Sequence, residues 1–280
     1  MGSAIFHPEA SRIARMASGG RFGTAQSAFQ VGGNAGSALG PVVASLVILP
    51  LGQFALGWLA IFAVAAIWIL YGVSRWRLKN NHNFFKAKTS SAVSNYSRKE
   101  IIRALSVIAV LMFAKFIYIG AFTNYFTFYL MERFQLTAQE SPFYLFCFLG
   151  AVALGTFAGG PIGDRLGRKM IIWISFLGVA PFSLLLPHMD LFWTCFLAVL
   201  IGLIMSSAFA ALVVYAQEII PGRVGTVSGI MFGLMFGIGG IGAAALGNLA
   251  DVYGVIWVYK AVSFLPLLGF ATAFLPKVKI

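Results

Sequence analysis

Acidic side chains are scarce in this chain of 280 residues: eight Asp and Glu stand against twenty Lys and Arg. Charged residues of either sign make up 10% of it, whereas soluble domains carry about a quarter. That is too little charge to clothe a water-soluble protein of this length. Histidine (three) and cysteine (two) are equally thin. Cys147 and Cys195 both fall inside apolar runs, which makes them small packing residues and argues against a disulfide framework. No P-loop, metal-ligand cluster or nucleophile triad occurs, so no catalytic residue, metal or cofactor is expected. Gly237-Ile238-Gly239-Gly240-Ile241-Gly242 fits G-x-G-x-x-G. It lies in an apolar run with no strand before it, so it does not read as a dinucleotide site. No cleavable signal is visible in Gly2-Ser3-Ala4-Ile5-Phe6-His7-Pro8-Glu9.

What the chain has in quantity is apolar residues, at 60%, with 27 Phe and 31 Gly. The apolar runs reach twenty residues or more, the length that crosses a bilayer as a helix. A membrane β-barrel would instead alternate in segments of about ten. Glycine at this density weakens a soluble helix but lets helices in lipid approach closely. The pattern predicts an all-α integral membrane protein with eight full spans: 22–49, 54–74, 104–130, 142–161, 170–187, 190–214, 224–249 and 255–275. Residues 1–9 are too short to span and read as the stub of another helix.

The basic residues lie between these runs. Seventeen of the twenty fall on one side, among them eight in the stretch from Arg75 to Arg103, and Arg133 alone falls on the other. Lys115 and Lys260 lie within spans. The net charge of +12 therefore follows the positive-inside pattern rather than a nucleic-acid surface, and places the C-terminus in the cytoplasm. Residues 76–103 form a basic linker, a tether or a contact for anionic lipid. It separates residues 1–75, the remainder of one bundle, from a second bundle at 104–280. Lys260 is close enough to its helix end to snorkel to the interface.

A short phrase occurs twice. Gly20-Arg21-Phe22-Gly23-Thr24 returns 202 residues later as Gly222-Arg223-Val224-Gly225-Thr226. A repeat on this scale in so apolar a chain indicates a transporter made of two related helix bundles.

The strongest local signal is Gly159-Gly160-Pro161-Ile162-Gly163-Asp164-Arg165-Leu166-Gly167-Arg168-Lys169 in a tight turn between two spans. Asp164 can face a helix N-terminus or an arginine, and the basic residues can reach helix C-termini. The segment resembles the signature loop of the major facilitator superfamily, with Gly160, Asp164, Arg165, Gly167, Arg168 and Lys169 at the positions of its conformational switch. Gly36-Ser37-Ala38-Leu39-Gly40-Pro41 is similar to the G-x-x-x-G-P element in the fifth helix of drug–proton antiporters of that superfamily. Gly36 and Gly40 would let another helix pack close, and Pro41 would bend the helix. Residues 2–12, Ala114-Lys115-Phe116-Ile117-Tyr118, Tyr215-Ala216-Gln217-Glu218 and Tyr259-Lys260 resemble the fosmidomycin resistance family.

That resemblance implies a major facilitator fold whose parent has twelve spans, in a bacterial inner membrane. It implies efflux of fosmidomycin and related small molecules against protons, with the lipid bilayer as surroundings and a monomer as the complete form. Proton-coupled uptake of a small organic anion is the alternative direction. The 202-residue ruler puts a first copy of the signature loop upstream of Met1. On this reading helices 1–3 precede the sequence and the 280 residues alone do not transport; a truncated product without function is a further alternative.

Several side chains point to a transport path. Lys115 lies about 18 Å into its span at 1.5 Å per residue, where a cation costs about 2.5–3.5 kcal/mol. Tyr118, Phe122, Tyr125 and Tyr129 follow at helical spacing. This face either lines a cavity for an anion such as a phosphonate or holds helices together. Gln26, Gln30 and Asn34 recur every four residues, as cavity lining or as interhelical glue; their repeat equivalents are Ser228, Phe232 and Phe236. His7, Glu9 and Glu218 are the candidates for proton coupling. His7 and Glu9 could equally form a structural helix end, and Glu218 a salt bridge to a loop arginine.

Overall fold

The computed structural model describes residues 2–79 and 96–276. The centre of the basic linker, with Lys86 and Lys88, and the terminal Lys277 and Lys279 lie outside the described residues. Every regular element among the described residues is helical. The main ones are α1 (Gly2–Ala17), α2 (Phe22–Val43), α3 (Ala60–Lys79), α4 (Arg98–Phe134), α5 (Ser141–Leu166) and α6 (Arg168–Leu177). They continue as α7 (Ala180–Leu185), α8 (Leu191–Ser206), α9 (Ala208–Ile219), α10 (Val224–Tyr253) and α11 (Val255–Val262), followed by a 3₁₀ segment, Leu265–Phe274. Joined across their short breaks, these make eight helices long and apolar enough to cross a membrane among the described residues, at the places the apolar runs predict.

Helix ends follow local chemistry. Ser97 opens α4 with a capping box: its hydroxyl accepts from the Glu100 amide at 3.3 Å and its own amide donates to Glu100 at 2.8 Å. Asp190 caps α8 by accepting from the Trp193 amide at 2.9 Å. Gly167, at φ +89°, makes the sharp turn between α5 and α6 that a side chain would resist.

The repeated phrase has the same structure both times. Gly20 and Gly222 take φ of +92° and +86°, Arg21 and Arg223 are the N-caps, and α2 and α10 start at the next residue. The preceding helices end at Ala17 and Ile219, again 202 residues apart. Thus α1–α2 and α9–α10 are equivalent pairs.

The packed core lies in α4–α11. Tyr118, Phe122, Phe126 and Tyr129 of α4 form a buried aromatic column, with Phe122 stacked on Phe148 of α5 at 4.7 Å and Tyr129 on Tyr259 of α11 at 4.2 Å. In lipid this column gains from close packing, because apolar burial gives no hydrophobic advantage over lipid tails. The segment before 80 is packed differently. α2 lies along α5, and α1 lies against α10. α3 buries none of its residues; its Arg77 reaches Glu9 of α1 at 2.5 Å. Pro41 sits inside α2, which passes into a π-helical turn at Ala44–Ile48, the kind of distortion expected next to a proline.

Close contact with α8–α9 depends on glycine. A Cβ on Gly159 would stand 2.5 Å from the Ser207 Cα, whereas one on Gly150 would meet nothing. Gly159→Leu should therefore cost about 3 kcal/mol, the upper end for overpacking. It should lower the midpoint of thermal denaturation in detergent, and Gly150→Ala should leave it unchanged.

Candidate functional site

The signature turn at the end of α5 lies against the start of α2. Asp164 accepts from the Gly23 amide at 2.9 Å, the Thr24 amide at 2.8 Å and the Thr24 hydroxyl at 2.7 Å. The first amides of a helix have no partner inside it, and the helix dipole favours an anion there. The approach is possible because Gly23 and Gly160 face each other: a Cβ on Gly160 would stand 2.5 Å from the Gly23 carbonyl oxygen. Arg168 holds the carboxylate from behind at 2.6 Å and reaches Glu218 of α9 at 3.5 Å. Lys169 donates to the Ala273 carbonyl at 3.1 Å and the Leu275 carbonyl at 2.5 Å, capping the last 3₁₀ segment. Arg165 and Gly20, Arg21 and Phe22 border the same 890 Å³ cleft. The signature residues therefore divide the work: Asp164 reaches across to α2, Arg168 bridges to α9, and Lys169 anchors the final helix.

A second polar contact lies beside this clasp. Arg15 of α1 donates to the Gln217 side chain at 2.8 Å, and Gln217 donates to Ser228 at 2.9 Å. Ser11 donates to Gln26 at 2.7 Å and lies 3.4 Å from Ser228. Arg15 and Gln217 are repeat equivalents, as are Gln26 and Ser228. The network thus sits where the two related helix pairs exchange partners, α1 against α10 and α2 against α9.

Beyond it lies a ring of aromatics. The His7 imidazole lies 5.3 Å from Phe232 and 5.0 Å from Phe236 of α10, and 6.0 Å from Phe29 of α2. Gln26 and Gln30 are buried, and their amide nitrogens have no partner. Asn34 donates to Thr156 of α5 at 2.8 Å. Of the three polar residues on this face, Asn34 is interhelical glue, Gln26 is so in part, and Gln30 keeps its donor free.

Other expected residues lie elsewhere. Lys115, Tyr118 and Phe122 are packed inside the α4–α11 core, each 1–2% exposed, and do not border the 890 Å³ cleft. The Lys115 ammonium donates to the Met205 carbonyl. Tyr125 turns toward α10 and donates to the Ala243 carbonyl at 2.7 Å. The reason is helical register, since Lys115, Tyr118 and Phe122 share the face of α4 that meets α8 and α5. Gly36 and Gly40 meet nothing within 4 Å of a built Cβ, so the close contact of α2 is made at Gly23 instead. Glu9 pairs with Arg12 at 3.0 Å and with Arg77, tying α1 to α3. Glu218 pairs with Arg168 rather than Arg223.

A profile of the Major Facilitator Superfamily matches residues 1–244 and again 116–279. The chain belongs to that superfamily. It falls in the fosmidomycin resistance family: it is 51% identical over 98% of its length to the "Fosmidomycin resistance protein" of Escherichia coli (strain K12), covering 68% of that protein. It is also 42% identical over 99% of its length to an "Uncharacterized MFS-type transporter YfnC" of Bacillus subtilis (strain 168), again covering 68%. This major facilitator protein is a multi-pass membrane transporter. Its sequence gave no direct sign of Ser11, Arg15 and Thr24 as contact residues. The signal was available in the repeat: a shift of 202 sets Arg15 on Gln217.

Charge-assisted hydrogen bonds contribute about 1.5–3 kcal/mol each, so loss of the clasp should shift the closed state by tenfold or more. In a background without Cys147 and Cys195, Ser27→Cys, buried beneath the clasp, should react slowly with a water-soluble maleimide. Adding Asp164→Asn should speed that reaction at least tenfold; an unchanged rate would show that the clasp does not hold this face shut.

Proposed function

We propose that this transporter exports fosmidomycin-like small molecules from the cytoplasm across the bacterial inner membrane in exchange for protons. The observation that carries this reading is the closure of the basic face, where Asp164 joins α5 to the start of α2 and Arg168 joins it to Glu218. The excess of Lys and Arg at this end supports a cytoplasmic placement for it, with the C-terminus on the same side. A carrier that rocks one bundle against the other needs contacts of this kind, made in one state and broken in another. The likeness to a fosmidomycin resistance protein supports the substrate class.

The substrate surface on this reading is the face shared by α1, α2 and α10. His7, Phe29, Phe232 and Phe236 supply aromatic walls, and the free amide donors of Gln26 and Gln30 suit an oxyanion. Glu218 is the proton-coupling residue favoured by its position near the end of α9, against Arg168. Protonation removes its charge from Arg168 and so loosens the closed face, and loss of the proton restores it. His7 is the second candidate, inside the substrate wall. Glu9, half-exposed between two arginines, has a tethering role.

Inside-out vesicles test both direction and coupling. With a pH-sensitive dye in an acidified lumen, adding fosmidomycin should make the lumen more alkaline as protons leave in exchange. Acidification would instead identify symport, the uptake reaction run backwards. Glu218→Gln should reduce the drug-driven proton signal at least tenfold while drug binding stays within twofold; full coupling in that variant would exclude Glu218.

A further inference from the structure

Lys115 is a buried cation with no acid near it in the chain. All eight carboxylates are among the described residues. Most lie at helix termini or loops, and Glu9, the exception, pairs with Arg12 and Arg77. Lys115 lies near the middle of its 37-residue helix, Arg98–Phe134. Its ammonium is 1% exposed and donates to the carbonyl of Met205. A cation at this depth is costly and needs a purpose.

The acceptor explains it. The span Leu191–Ile219 is interrupted: α8 ends at Ser206, α9 begins at Ala208, and the Ser207 amide turns back to the Ile204 carbonyl at 3.3 Å. Both serine hydroxyls bond carbonyls of the preceding turn, Ser206 to Gly202 at 2.7 Å and Ser207 to Ile204 at 2.7 Å, a pattern that bends helices. Two side chains from other helices meet the break, since the Met205 carbonyl accepts from Lys115 of α4 and from Ser175 of α6 at 2.6 Å. Gly155 and Gly159 of α5 lie directly against the backbone at Leu203 and Ser207. Beyond the break, α9 carries Gln217 and Glu218, the two residues of this span that make the closure of the basic face.

We propose that Lys115 is a positioning residue, the pin of a hinge at Ser206–Ser207 that lets α9 move apart from α8 when the basic face opens. This rests on the transporter reading but not on the identity of the substrate. In place of the pin, a neutral side chain would leave the Met205 carbonyl with Ser175 as its one remaining side-chain donor, so that less holds the break open. The span would straighten, and α9 would be coupled rigidly to α8.

The test needs no substrate for its first arm. With Ser27→Cys as reporter in the background without Cys147 and Cys195, Lys115→Met should slow maleimide labelling at least fivefold, the opposite of Asp164→Asn. The pair Ser206→Ala with Ser207→Ala should slow it in the same direction, and it decides the matter if Lys115→Met does not reach the membrane. Unchanged or faster labelling in the serine pair would overturn the hinge. The second arm measures fosmidomycin binding and turnover: the pin predicts a Kd within twofold of the parent with turnover reduced at least fivefold. A Kd that rises in step with the loss of turnover would make Lys115 a substrate ligand and overturn the proposal. If the unmodified protein binds no fosmidomycin, the substrate reading fails while the labelling arm still decides the hinge.

Discussion

The first turn of a helix presents amide protons that its own backbone cannot satisfy. Asp164 takes up two of these amides and the Thr24 hydroxyl at the start of α2. Much else in the molecule serves that contact. Gly23 and Gly160 are required because any side chain would hold α2 and α5 apart. Arg168 aims the carboxylate and carries its influence to Glu218. The left-handed Gly20 sets the angle at which the chain enters α2.

The same phrase opens α10, but there it meets a different neighbourhood. A Cβ on Gly225 would meet only the Arg12 side chain, at 3.8 Å, where one on Gly23 would strike Asp164 and Gly160. Two segments with one backbone plan thus have unlike partners. The network of Arg15, Gln217, Gln26, Ser228 and Ser11 shows how such a molecule joins its related parts. Residues at equivalent positions meet across the pseudo-symmetry axis, and because their side chains differ, one can donate where the other accepts. Identical side chains on such an axis would more often compete than pair.

Much of the fold was legible without coordinates. Apolar runs of spanning length are easy to read, and every described span lies where its run predicts. The signature turn was legible as well, to the point that Asp164 was expected to face either a helix N-terminus or an arginine; it does both. What a face touches was not legible. The face of Lys115, Tyr118 and Phe122 looks the same on a helical wheel whether it meets substrate or a protein core, and here it meets α5, α8 and α11. Gly36 and Gly40 have the spacing of a packing motif, yet no helix lies against them among the described residues. Spacing fixes which residues share a face but not what that face touches.

The sequence by itself determined that the chain is helical, membrane-spanning, internally repeated and asymmetric in charge, because those properties depend on neighbours within a few turns and on transfer from water to lipid. Tertiary structure alone decided which polar groups meet. The buried ammonium of Lys115 finds its partner inside the protein, and that partner is a backbone atom, the carbonyl of Met205. A carbonyl has no letter of its own in the sequence, so its choice of partner becomes visible only when the helices are packed.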